Sequence, residues 1–169
     1  NLRDAVKIGS SVSDNYRYLS AGGSLAWLWG IWQPMKDETG KLLHIRFFGR
    51  DVTESMNLAR ENEAFIKALS RSTAVIEFDL NGTVLNANAP FLTAMGYNLD
   101  QIKGKHHRMF CEHDEASSPA YSAFWKALND GEFVAGRFKR VDSYGRTIWL
   151  EATYNPVYDA QNKLYKFIK

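Results

Sequence analysis

The stretch richest in chemistry is Gly104 to Ser118, GKHHRMFCEHDEASS, which gathers His106, His107, Cys111, His113 and Asp114. Imidazole and thiolate side chains ligate borderline and soft metals. A Cys near a His and an Asp is also the raw material of a nucleophile, a base and its orienter. Neither chemistry follows here. The spacing of His106, His107, Cys111 and His113 matches no standard zinc pattern, and proximity in sequence does not make His106, Cys111 and Asp114 converge in space. The chain has no Gly-rich phosphate loop, no Gly-x-Ser-x-Gly elbow and no His-Glu-x-x-His helix. An enzyme is therefore not expected, nor a metal site. The stretch has no clean hydrophobic period, which marks irregular backbone of the kind that lines a pocket.

The elements around it must hold it in place. Thr73–Asp79 and Thr83–Ala87 read as short strands joined through Leu80-Asn81-Gly82, a strong hairpin signal. Asn88-Ala-Pro caps a helix that Gly96 ends, and Leu99 to Ile102 adds one more turn before Gly104. Ser118-Pro119 starts a longer helix whose buried stripe is Tyr121, Phe124, Trp125 and Leu128. From Glu132 to Lys169, three runs rich in Val, Phe, Ile, Thr and Tyr alternate apolar with polar residues across the turns SYGR and DAQNK, as an antiparallel meander does. The expected class is α+β: a five-stranded antiparallel sheet with short helices on one face. Trp149 falls in this meander, either as core or as part of a ligand cage. Arg137, Lys139, Arg146 and Glu151 read as cross-strand charge pairs on a solvated face, and Asn86 and Asn88 as partners for local backbone groups.

The beginning of the chain repeats its end at an offset of 122 residues. Ala5, Gly9, Val12, Gly23, Trp27, Leu28, Pro34, Asp37, Lys41 and Leu42 recur as Ala127, Gly131, Val134, Gly145, Trp149, Leu150, Pro156, Asp159, Lys163 and Leu164. Turn Gly, strand Trp and strand-ending Pro all keep register, so the two ends are copies of one unit. The first copy is expected to begin mid-unit, with Leu2, Ala5 and Val6 ending a helix. Its strand LAWLWGIWQPM sets Trp27 and Trp29 on one face and Trp32 on the other. Such bulk on two sides implies cover on two sides: core on one, a partner subunit, a linker helix or a ligand on the other. Between the copies, Asp51-Val52-Thr53 precedes a helix-start signal, and Val52, Met56, Ala59, Phe65, Ile66 and Leu69 recur at helical spacing. The expected organisation is the end of a first unit over 1–53, a connector helix over 54–71 and a second unit over 72–169. The helix's apolar stripe suits either its own sheet or a second copy of itself.

Composition narrows the partners. Formal net charge is +2 with basic and acidic residues interspersed, which gives no reason to expect nucleic acid. No run approaches the length of a membrane span, so direct membrane contact is not expected. The single Cys111 rules out an internal disulfide and fits a reducing, cytoplasmic compartment.

These landmarks together resemble a PAS domain, the sensory module of many bacterial signalling proteins. The resemblance rests on FDLNGTVLNANAPFLTAMGY, AFWKALNDGEF and GRFKRVDSYGRTIWLEATYNPV, and on Asp51-Val52-Thr53, where such domains hand over to a signalling helix. The wording KHHRMFC followed by GEFVAGRFKRVDSYGRTIWLEATYNPV is similar to the tandem PAS pairs of methyl-accepting chemotaxis transducers of the aerotaxis and biofilm-dispersion type. The resemblance implies a cytoplasmic module that passes ligand, redox or partner signals through connector helices to an output domain, and a homodimer formed through the connector helix or the sheet. The alternatives are a ligand-free dimerisation or docking scaffold, or the input of a histidine kinase or cyclic-dinucleotide enzyme. It also implies cofactors to test. Photoactive flavin-binding relatives carry a reactive Cys where His107 stands here and a Gln where Cys111 stands, so covalent photochemistry is out, while non-covalent flavin, or no cofactor at all, stays open. Haem sensors of the family use an axial His from the helical side of the pocket, which makes His107, His113 and His106 the candidates.

Overall fold

The computed structural model describes residues 10–169, and the expected helix end at Leu2, Ala5 and Val6 lies outside them. The chain forms two compact units that divide between Phe65 and Ile66, inside a long helix. The first is a three-stranded antiparallel sheet of β1 (Val12–Leu19), β2 (Leu25–Lys36) and β3 (Leu42–Asp51), from which α1 (Thr53–Ser72) departs. The second contains β4 (Ile76–Phe78), β5 (Val84–Ala87), α2 (Ala89–Met95), α3 (Leu99–Ile102), a 3-10 turn over His107–Phe110, α4 (His113–Ala116), α5 (Pro119–Asn129), β6 (Val134–Val141), β7 (Thr147–Tyr158) and β8 (Leu164–Ile168). Its five strands lie antiparallel in the order β5-β4-β8-β7-β6.

The repeat holds to the residue. Val12 opposes Trp32 across β1 and β2, and Val134 opposes Tyr154 across β6 and β7, the same pair displaced by 122. The register shift after Met35 recurs after Val157. One turn recurs in both units. The carboxylates of Asp37, Asp79, Asp142 and Asp159 each accept backbone N–H groups two and four residues ahead, at 2.8 to 2.9 Å. The residue three ahead takes positive φ: Gly40, Gly82, Gly145 and Asn162. In the β4–β5 hairpin this replaces the two-residue Asn-Gly turn that the sequence signals, because Asn81 keeps an ordinary φ and the Asp79 carboxylate closes the loop instead.

β4 is shorter than the expected Thr73–Asp79 for a local reason. The Asn88 side chain, besides capping α2 through Phe91 N at 3.1 Å, accepts Val75 N at 2.8 Å and donates to Thr73 O at 2.7 Å and Ser70 O at 3.1 Å. It takes the backbone groups that a longer strand would pair and ties them to the end of α1.

Alternation in the meander sorts the faces. Ile148, Leu150, Ala152 and Tyr154 point inward, and Thr147, Trp149, Glu151 and Thr153 outward. The core packs Ile76, Phe78, Val84 and Phe167 of the sheet against Phe91, Met95, Ile102, Phe110 and Leu128 from the helical layer. Trp149 is not core: its side chain stands on the open face of β7 with 61% of its surface exposed. In the first unit Trp32 packs against Tyr16 and Phe47, with ring centroids 6.1 and 4.5 Å away, while Trp29 on the opposite face is 38% exposed. Cover on both faces is thus only partial. Among the described residues no helix is long and apolar enough to cross a membrane.

Candidate functional site

The segment without a hydrophobic period is held by backbone. Gly104 N donates to Val84 O, Val84 N to Lys105 O and His107 N to Gly82 O, at 2.8 to 2.9 Å, so residues 104–107 run along the free edge of β5. The 3-10 turn that follows swings His107 into the core, where it is 1% exposed. Its ring is surrounded by Phe78, Phe110, Tyr121, Phe124, Trp125 and Tyr154, all with centroids within 6.3 Å.

Both ring nitrogens are engaged. Nδ1 lies 2.9 Å from the Tyr121 hydroxyl and Nε2 3.0 Å from that of Tyr154. Burial, and then the nearby Arg140 charge, hold the His107 pKa well below its ordinary value, so the ring is neutral and carries one proton. Arg140 Nη2 donates to the Tyr154 oxygen at 3.2 Å. Among the described residues the Tyr154 proton then has one acceptor in reach, Nε2. The imidazole proton must sit on Nδ1 and be donated to the Tyr121 oxygen; the opposite tautomer would leave the Tyr154 hydroxyl proton buried without an acceptor. Arg140 is itself 2% exposed and reaches Glu115 Oε1 at 2.9 Å. The result is one directed chain from Arg140 through Tyr154 and His107 to Tyr121, with Glu115 as its external carboxylate. Cys111 Sγ lies 3.8 Å from Nδ1, and burial pushes its thiol up to about 11.

The other sequence candidates lie apart from this chain. His106 is half-buried, its Nδ1 accepting Arg108 N at 3.1 Å, and it lines a cleft of about 310 Å³ with Leu80, Asn81 and Trp125. His113 is exposed at the start of α4, and Trp149 faces away from the core. Lys139 pairs with Glu112 at 2.6 Å and Arg146 with Asp142 at 2.7 Å, in place of cross-strand partners.

The haem reading can be tested on these contacts. Axial ligation by His107 would require a ring nitrogen to abandon a buried tyrosine, and the cavity lined by Tyr121, Phe124, Phe138 and Arg140 is about 190 Å³. Cofactor pockets occupy about 300 to 1,000 Å³, so these residues do not fit haem on His107. His113 has no apolar enclosure. A larger cavity of about 390 Å³ lies between Phe91, Gly136, Leu150, Ala152 and Lys169. The amine of Lys169 sits 4.9 Å from the Tyr154 ring centroid and 5.9 Å from that of Phe138, and burial lowers its pKa to about 7.

Sequence reading missed Arg140, Tyr154, Tyr121 and Glu115 as a group. One signal was available: Arg140 shares the parity of Val134 and Phe138, which puts a charge on the inward face of β6.

The first unit shows how such a sheet hands over to a helix. Trp27 N donates to Thr53 Oγ1 at 2.9 Å, Val52 N donates to Trp27 O at 2.8 Å, and Thr53 N donates to the Asp51 carboxylate at 2.8 Å. The Asp-Val-Thr triplet thereby fastens the first turn of α1 to the central strand. Arg60, two turns on, places its guanidinium 4.7 Å from the centroid of the Trp27 ring.

Comparison with known proteins agrees with this geometry. The PAS fold profile matches residues 84–169, and a PAS domain profile matches residues 1–54. Biofilm dispersion protein BdlA of Pseudomonas aeruginosa is 40% identical over 166 residues, 98% of this chain, and the chain spans 40% of that relative's length. The aerotaxis receptor of Escherichia coli is 28% identical over 86 residues, 51% of this chain and 17% of that protein. Among solved structures, a light-oxygen-voltage domain studied with a flavin analogue superposes with TM-score 0.53 at 21% identity, over 62% of this chain and 80% of its own. The dark structure of the Aureochrome1 light-oxygen-voltage domain superposes with TM-score 0.51 at 22% identity, over 62% and 78%. At such identities the likeness is one of fold. Two profile matches, lying on two copies of one sheet whose registers agree residue for residue, establish that the chain belongs to the PAS family and is a tandem PAS sensory region resembling those of chemotaxis-type transducers.

Proposed function

We propose that this chain is the cytoplasmic sensory portion of a chemotaxis-type transducer, in which residues 1–53 end one PAS domain, 54–71 connect, and 72–169 form a second PAS domain. The observation that carries the reading is the attachment of α1 to β2: both backbone groups of Trp27 are bonded to Val52 and Thr53. A shift of the central strand therefore moves the first turn of the helix directly. A stimulus that alters packing between the helical layer and the sheet shifts the population of helix orientations, limited by its differential affinity for the two states. His107 acts in this reading as the buried centre of the core's polar chain, not as a ligand to a cofactor.

In the intact transducer, Thr53→Val removes the hydroxyl that accepts Trp27 N while keeping the shape of the side chain. The variant should fold and retain its unstimulated output, and its response to stimulus should fall severalfold. An unchanged response would end the reading.

A second reading, a dimerisation scaffold, is favoured by one feature. Leu58, Phe65, Ile66 and Leu69 leave 49% to 63% of their surfaces exposed along α1, the kind of stripe a second copy of the helix would cover. A colourless protein, empty by native mass spectrometry and dimerising with concentration, would support the scaffold over the sensor.

A further inference from the structure

The polar chain in the core of the second unit ends on a donor. Arg140 donates a hydrogen bond to Tyr154, Tyr154 to His107 and His107 to Tyr121, which leaves the Tyr121 hydroxyl proton as the free end. Tyr121 and Arg140 line the same cavity of about 190 Å³. Arg140 Nε is also buried without a hydrogen-bond partner among the described residues, on a side chain 2% exposed. Fully buried donors of this kind are rarely left unmatched. The remaining cavity wall is apolar, from Phe124 and Phe138, apart from Ser118 and Glu115. Ser118 is already committed: its hydroxyl donates to Glu115 O and accepts Tyr121 N. Glu115, on the single turn of α4, is among the described residues the one carboxylate paired with Arg140, and its side chain is 37% exposed. The cavity thus offers donors, the Arg140 charge and apolar walls, with a partly exposed carboxylate at its rim.

We propose that this cavity binds a small aliphatic carboxylate, which accepts from Arg140 and Tyr121 and displaces the carboxylate of Glu115 from the guanidinium. Size limits the ligand. At about 30 Å³ for each water-sized group, the space holds roughly six non-hydrogen atoms, the scale of acetate to butyrate. An Arg fork matches a carboxylate in geometry as well as in charge. Exchange is economical because Glu115 is an internal stand-in: its release breaks one of the two ion pairs between the α4 segment and β6, the other being Glu112 with Lys139, while Arg140 stays paired. The proposal rests on the sensory reading of this domain and gives its stimulus a chemical class.

The test is titration of the whole chain with sodium acetate, propionate and butyrate, with propionamide as the uncharged counterpart, followed by calorimetry and by the Arg140 Nε–Hε resonance. The carboxylates should bind and move that resonance downfield, and propionamide should do neither. Glu115→Gln removes the internal competitor, so affinity should rise about tenfold, comparable to relief from one charge-assisted bond. Tyr121→Phe should weaken binding severalfold and Arg140→Lys should abolish the fork; circular dichroism verifies that each is folded. Should Arg140→Lys fail to fold, Glu115→Gln and the wild-type resonance still decide. Equal binding by wild type and Glu115→Gln, equal response to propionate and propionamide, or no carboxylate binding at all would overturn the proposal. Binding of an uncharged ligand alone would overturn it and leave the sensory reading intact. Carboxylate binding by this pattern, without any change in transducer output, would uphold the proposal and count against the sensory reading.

Discussion

Trp27 and Trp149 occupy the same position of the repeated sheet yet meet different surroundings. Trp27 is half-buried beneath the Arg60 guanidinium, 4.7 Å from its ring centroid, and Trp149 is 61% exposed. Their backbone registers are identical, Arg17 opposite Trp27 and Lys139 opposite Trp149. What differs is whether a helix covers the outer face.

That difference predicts unequal costs. Trp149→Ala should change stability by no more than about 0.5 kcal/mol, as for a surface site. Trp27→Ala should cost about 1 to 2 kcal/mol through lost area and the cation–π contact. Urea unfolding of the two variants checks this, and equal effects would contradict it.

The hydrogen bonds of His107 predict a non-additive pair. His107→Phe preserves bulk but takes the acceptor from the Tyr154 hydroxyl proton, whose oxygen still accepts from Arg140, and the donor from the Tyr121 oxygen, each such buried loss costing about 1 to 3 kcal/mol. Adding Tyr121→Phe and Tyr154→Phe removes both hydroxyls, at the expense of the acceptor that Tyr154 gives Arg140, so the triple variant should lose less than the sum of the three single losses. Thermal or urea denaturation of the series measures the coupling. A strictly additive loss would show that the three side chains do not act together.

Stability should rise with pH on two limbs. The His107 pKa is depressed on folding, so below about 6.5 the unfolded chain binds a proton that the folded chain refuses. Lys169, lowered from 10.5 to about 7, does the same between those values. Where the unfolded state binds more protons, stability climbs with pH. The melting temperature should therefore increase from pH 5.5 to 6.5 and again from pH 7 to 9. His107→Gln should flatten the first limb and Lys169→Met the second. Cys111, raised to about 11 from 9.0, acts in the opposite sense only above pH 9.

The Cys111 thiol, buried and raised to about 11, should be a poor nucleophile. At pH 8 its thiolate fraction is about a thousandth, so disulfide-exchange labelling of the folded chain should run at least about 100-fold slower than labelling in urea. Comparable rates would mean that the core opens readily around it.

The sequence by itself was enough for the repeat and for where most strands, helices and turns fall, because these depend on residues close in the chain, though not for the Asp79-closed form of the β4–β5 turn or for the short helical turns over 107–116. An Asp that closes on amides two and four residues ahead, a Gly or Asn that accepts positive φ, and alternation along a strand are local constraints, and they survived folding almost unaltered. The Asp-Val-Thr triplet was legible for the same reason. Which polar groups meet in the core was decided by tertiary structure alone. His107 stood out from the sequence as a titratable residue, but its partners Tyr121 and Tyr154 come from α5 and β7, and Arg140 and Glu115 from β6 and α4. No spacing rule relates residues that distant. Burial then holds His107 as a neutral link between two tyrosines, since a charge on the ring would be costly in the dry core and ligation through either nitrogen would leave a buried tyrosine hydroxyl unpaired.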